Sequence, residues 1–211
     1  MRRTTTLIVV AAGLAAAYAR WVRPWALTWG ATPDEAAARM PGDELIVRPP
    51  LSVTRALTIA APPEEVWPWL VQAGTGRAGW YSYDLVDNLG RRSADRILPQ
   101  WQHLAVGDLV PLTPSGRLGL RVHSMAAPHA MVWGSPGETT WEWHLHAIRG
   151  ADGSPSTRLV TRFRSTSVAG FPTRLVALPL ELGDAVMMRK MLLTIKARVE
   201  RRRGWYQGAR A

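Results

Sequence analysis

The sequence predicts an α+β domain in which a curved antiparallel sheet is wrapped on a long C-terminal helix. Three observations predict it. The stretch TRALTIAAPPEEVWPWLVQAG, residues 54–74, reads as a strand running straight into a helix that carries Trp67 and Trp69. Between Leu109 and Arg164 a series of short alternating stretches follows, each bounded by Gly, Pro, Asp or Ser, which is the spacing of an antiparallel meander. From about Leu175 to Arg203, Met187, Met188, Met191, Leu192, Ile195 and Val199 recur at intervals of three and four, so one face of a long helix is apolar and needs a broad apolar partner.

The chain of 211 residues suits one domain with an appendage. Hydrophobic residues at 47% and charged residues at 20% give the balance of a globular protein rather than a disordered one. The absence of cysteine removes disulfide scaffolds, thiolate metal sites and thiol nucleophiles. A net charge of +10 raises nucleic acid as a partner, but the arginines are scattered from Arg2 to Arg210 and lysine occurs only at 190 and 196, so no phosphate-tracking stripe forms. The dense run Arg198, Arg201, Arg202 and Arg203 reads as a solvated helix end, where cations complement the dipole, with an anionic membrane surface as the alternative.

Residues 1–22 read as a membrane anchor or signal segment. Arg2 and Arg3 precede an uncharged run from Thr4 to Ala19, Trp21 and Trp25 suit an interfacial belt, and Ala17-Tyr18-Ala19 fits a signal cleavage site. The expectation is an N-terminal hydrophobic helix acting as a single uncleaved span with the domain outside the cytoplasm; the alternative is secretion after cleavage. Residues 23–50 form a connector with one short helix, in which Thr32 is the N-cap, Pro33 occupies the first helical position, Glu35 completes a capping box and Pro41-Gly42 ends the helix.

The body, residues 51–206, begins with a strand over Leu51–Ala60. The helix that follows starts at Pro62 or Pro63, with Glu64 and Glu65 at the positive end of its dipole and Val66, Trp67, Leu70 and Val71 on its apolar face. GTGRAG at 74–79 has the spacing of a dinucleotide loop but follows a helix instead of a strand, so it reads as a helix stop and turn. Ser82 is expected to cap a second short helix, SYDLVDNL. In the meander, alternation points Leu118, Leu120 and Val122 inward, likewise Trp141, Trp143 and Leu145, and Leu159, Thr161 and Phe163. It points Glu142, His144 and His146 to solvent, with Glu142 pairing across the strands to Arg162 or Arg164. The terminal helix is expected to break near Pro179.

Few groups suggest chemistry. Tyr81, Tyr83 and Asp84, with Arg96 in the loop after them, form the one catalytic candidate set: a hydroxyl and a carboxylate could polarise a carbonyl and remove an α-proton. The structural alternative is that Asp84 caps its helix or pairs with Arg96 while the tyrosines line a wall. His144-Leu145-His146 places two imidazoles on one strand face, short of the third ligand a metal needs; His129 or Glu142 could supply it, but no metal or other cofactor is expected. No G-x-S-x-G elbow and no P-loop is present.

The stretches APPEEVWPWLVQAG, WYSYD, SADRILPQWQ, VGDLVPL, TWEWHL and TRLVTRFR resemble the START-related superfamily labelled SRPBCC, or polyketide cyclase/dehydrase-like, over roughly Thr54 to Arg203. The resemblance implies a helix-grip fold: about six or seven strands around the C-terminal helix, two short helices after the first strand, and a hydrophobic ligand held between sheet and helix. The expected lining is Trp80, Tyr81, Tyr83, Trp101, Trp133, Trp141, Trp143 and Phe163, closed by Met187 and Met191. No catalytic residue carries over. The implied partner is a lipid, isoprenoid or polyketide-like molecule, and the alternative activity is a cyclase or dehydratase acting in the same cavity.

Overall fold

The computed structural model describes residues 13, 16–113, 115–166 and 174–208, with the side chains of the last helix described over 181–202. The expected N-terminal span, residues 1–22, falls mostly outside these. Its described end is a π-helical turn, Tyr18–Val22, continuing into α1, Arg23–Thr28. Among the described residues no helix is long and apolar enough to cross a membrane. The connector contains α2, Pro33–Ala37, where Thr32 and Glu35 form the expected reciprocal capping box.

The body follows the element order read from the sequence: β1, Leu51–Ile59; α3, Pro63–Val71; α4, Asp84–Asp87; then β2 Leu109–Pro111, β3 Gly119–Ala126, β4 Ala130–Ser135, β5 Thr139–Arg149 and β6 Pro155–Ser165; and α5, Arg174–Gly208. The strands form one six-stranded antiparallel sheet in the order β1-β6-β5-β4-β3-β2. β1 and β6 pair without slippage from Leu51↔Ser165 to Ile59↔Thr157, so the first strand of the body closes against the last. A bulge between Val122 and Ser124 interrupts the β3–β4 register; such an insertion increases local twist and bends the strand.

The long helix grips the concave face. Met188, Met191, Leu192, Ile195 and Val199 are buried in the same cluster as Trp69, Trp133, Trp143, Leu145 and Leu159. Heptad-like spacing puts these helix residues on one side, and the indoles supply the broad apolar surface they require. α5 runs continuously through position 179, so the expected break there does not occur. The second short helix starts at Asp84, not at Ser82, and has no side-chain cap. Leu118, expected inside, lies before β3 and is 64% exposed, whereas Val122 is buried as expected.

The largest departure concerns the outer face of β5 and β6. Glu142 and His144 were expected in water; Glu142 is fully buried and His144 is 3% exposed, while His146 is exposed. The connector lies across this face and explains the change. Glu142 stands opposite Arg162 in the register but does not pair with it. Arg162 instead donates to Asp43 Oδ2 at 2.7 Å, to the carbonyls of Glu35, Ala36 and Ala38, and to Thr54 Oγ1. These contacts employ all five N–H donors that a guanidinium carries. Arg164 reaches Asp43 Oδ1 at 2.9 Å, and Arg158 makes a two-pronged contact to Glu35, 2.7 Å on each side. Bidentate geometry is the strong form of such pairs, and it holds the Glu35 carboxyl below its usual pKa. Gly42, at φ +105°, passes so close to Glu142 that an added Cβ would sit 2.9 Å from the carboxyl carbon.

Candidate functional site

Among the described residues, space remains between the sheet and the 184–191 stretch of α5. Two adjoining recesses of about 170 and 210 Å³ share Leu112, Trp141, Asp184 and Met188. The first is completed by Trp80, Ser82, Asp87, Met187 and Met191, the second by Val53, Arg55, Thr161 and Phe163. Further indoles lie behind them. Trp133 and Trp143 are fully buried and meet edge to face at 5.5 Å, and Trp143 lies 4.9 Å from Trp141.

The wall of the recesses is built from parallel indoles. Trp80 and Trp141 stack at 5.5 Å with 16° between planes, and each donates its ring N–H to a threonine, Thr75 and Thr161 respectively, at 2.8 and 2.9 Å. With their polar edges satisfied inside the protein, both rings offer only apolar surface to a guest. Opposite them stands the methionine stripe of α5, unbranched and adaptable to differing shapes.

Three ionisable groups border this apolar space. Arg55, buried on β1, donates to the carbonyl of Ala26 at 3.0 and 2.8 Å and pairs with Asp184 on α5 at 2.8 Å, so β1, α1 and α5 are joined at the entrance. Asp87, at the end of α4, has no such partner: both its carboxylate oxygens are buried and no hydrogen bond reaches either among the described residues. Burial, with the nearby charge of Asp84, pushes its pKa up to about 6. The residue lines the first recess, so its carboxyl stands at the edge of apolar space. Asp87, Arg55 and Asp184 carry no mark in the sequence, because nothing local shows which acid keeps a partner; Ser82, expected as a helix cap, instead borders the first recess.

The four catalytic candidates do not meet around one space. Tyr81 is buried, adopts φ +59°, and donates its hydroxyl to the Trp69 carbonyl at 3.0 Å; burial raises its pKa well above the ordinary tyrosine value. Its amide donates to Ser93 Oγ, and Ser93 in turn donates its hydroxyl and its amide to Asp84 Oδ1. Asp84 thereby fixes the 91–96 loop and the left-handed turn at Tyr81, and it makes no pair with Arg96. Tyr83 is 45% exposed, and Arg96 lines a different pocket, near the far end of α5.

Of the residues expected to line a ligand, Trp80, Trp141, Phe163, Met187 and Met191 border the recesses. Trp133 and Trp143 lie behind that wall, and Tyr81 packs edge-on to Trp69. Trp101 lies under the Arg77 guanidinium, 4.8 Å from the ring centre. The glycine-rich turn serves this packing: Gly74 and Gly79 pair through their backbones, and a Cβ on Gly79, at φ +79°, would collide with Ser93 Oγ. His144 and His146 stack with ring centres 6.5 Å apart on the outer face, away from the recesses.

No family model matches the chain, and no curated protein matches it. Solved structures similar to it include the crystal structure of CalU16 from Micromonospora echinospora, at 17% identity over 75% of this chain and 86% of that one, with a TM-score of 0.37. The AHSA1-like protein from Aeromonas hydrophila is 14% identical over 71% and 92% of the two chains, with a TM-score of 0.39. Ara h 8.0201 is 11% identical over 71% and 97%, with a TM-score of 0.34. By its own strand order, register and gripping helix, this chain has the helix-grip fold that its resemblance to the SRPBCC superfamily implied.

Proposed function

We propose that the protein is a membrane-associated helix-grip module that binds a hydrophobic small molecule, of lipid, isoprenoid or polyketide-like character, between the sheet and α5. The observation that carries this reading is the pair of recesses walled by Trp80, Trp141, Met187, Met188 and Met191, with a single unpartnered carboxyl, Asp87, at the edge. Binding sites of this type are mostly apolar and fix orientation with a few polar groups. The best-matched guest is an elongated apolar molecule with one hydrogen-bonding end directed to Asp87.

Association with a membrane is supported by surfaces near that entrance. Leu85, Val86 and Leu89, on and just after α4, are 81%, 68% and 68% exposed, and Arg91 and Arg92 follow after Gly90. Trp21 and Trp25, next to the apolar N-terminal run, are also exposed. Apolar side chains flanked by cations suit an anionic interface. The test is native mass spectrometry of full-length protein purified without detergent. A non-covalent adduct of lipid-like mass, or uptake of one member of a lipid panel in one-to-one ratio, is expected. Protein that carries no adduct and takes up none of the panel would refute the reading.

A further inference from the structure

A second pocket, of about 440 Å³, lies between the far end of α5 and the 95–97 loop. Its lining is electrostatically lopsided: Arg96, Arg198, Arg201 and Arg202 against one carboxylate, Asp95, with Trp69 and Ile97 as apolar floor. Among the described residues, no carboxylate forms an ion pair with the guanidinium of Arg96, Arg198 or Arg201. At Arg198 the attraction of Asp84 and Asp95 exceeds the repulsion from Arg201, yet four guanidinium groups still outnumber the nearby carboxylates, so an added anion would find donors that no carboxylate contacts.

Arg198 is the organising group. Its guanidinium lies 4.9 Å from the Tyr81 ring centre and 5.9 Å from that of Trp69, and Nη2 donates to the Ser93 carbonyl at 3.3 Å. Two aromatic faces and one carbonyl hold the plane of the group in place. Nη1 is buried and has no acceptor among the described residues. A buried cationic donor without an acceptor is expensive, and burial pulls the pKa of Arg198 down accordingly. The pocket therefore offers a fixed, partly desolvated donor together with the exposed guanidinium groups of Arg96 and Arg201, the arrangement that suits a tetrahedral oxyanion.

We propose that this pocket binds a phosphate monoester, with Arg198 as the fixed contact and Arg96 and Arg201 closing around the remaining oxygens. The site is separate from the recesses beside Met187, and the proposal stands whether or not those recesses take a hydrophobic guest. The same chemistry is presented by a soluble phosphate monoester and by the headgroup of phosphatidic acid.

The experiment is calorimetric titration of the full-length protein with glycerol 3-phosphate, alongside sedimentation with vesicles of phosphatidylcholine containing phosphatidic acid or lacking it. Saturable binding of glycerol 3-phosphate is expected, weakened about tenfold by Arg198→Met. Arg96→Gln and Arg201→Gln, on exposed side chains, are expected to weaken it by smaller factors without lowering the melting temperature, which keeps the test valid if Arg198→Met unfolds. Arg149→Gln, a charge-matched change elsewhere on the surface, is expected to leave it unaltered. Retention on phosphatidic acid vesicles that is lost in the same variants would identify the source as a lipid headgroup; soluble binding alone would identify a small metabolite. No binding of either form, or equal losses in Arg149→Gln and Arg201→Gln, would overturn the proposal. Uptake of a neutral apolar probe, followed in parallel, reports on the recesses independently.

Discussion

Asp84 and Asp87 show how two identical side chains three positions apart acquire opposite roles. Asp84 accepts two hydrogen bonds from Ser93 and shapes the backbone; Asp87 accepts none and faces the recess. The local sequence, SYDLVDNL, does not distinguish them, because the partner of Asp84 arrives from a loop nine residues away. The consequence for stability follows from proton linkage. The folded protein holds the Asp87 proton up to about pH 6, whereas the unfolded chain releases it near 3.8. Ionisation therefore costs folding energy that grows as pH rises between those values and is fully present above the higher one. Asp87→Asn removes the cost. The variant should melt above the parent at neutral pH, and the difference should shrink towards zero as the pH falls below 3.8; a difference that does not change with pH would show that Asp87 is not desolvated.

At the scale of elements, alternation identified which residues of β5 and β6 share a face, and Trp141, Trp143, Leu159 and Phe163 stand together on the concave side. What alternation could not show is whether the opposite face meets water. Glu142, His144 and Arg162 look like solvent residues in sequence, yet a connector more than a hundred positions earlier covers them. The legible sign of that cover was weak: three arginines on one strand face, at 158, 162 and 164, which together need more acceptors than the sheet supplies. Capping at Thr32 was readable because both halves of the motif lie within four residues. Arg162 is the main clasp. Arg162→Met leaves three connector carbonyls without their donor and weakens the hold on Asp43, which keeps only Arg164. A loss of about 3 kcal/mol is expected in urea unfolding, with faster amide exchange confined to the connector. A change within error would mean that the strap is held by other contacts.

For the whole molecule, the order of elements and the gripping helix were legible because period-two and period-three-to-four patterns each extended over long enough stretches to declare themselves. The cavity was legible only in part. Composition supplies bulky side chains without saying how far they fill the interior, and here Trp69, Trp133 and Trp143 are buried while recesses remain beside the methionines. The expectation is that this room accepts an apolar guest. It is tested most directly by fluorescence titration of a neutral naphthylamine probe into the parent protein and Met187→Trp, in which an indole occupies the recess beside Trp80 and Asp87. Saturable one-site uptake by the parent, reduced at least about tenfold in a variant of unchanged melting temperature, is the expected result; uptake that is absent in the parent, or equally strong in the variant, would contradict it.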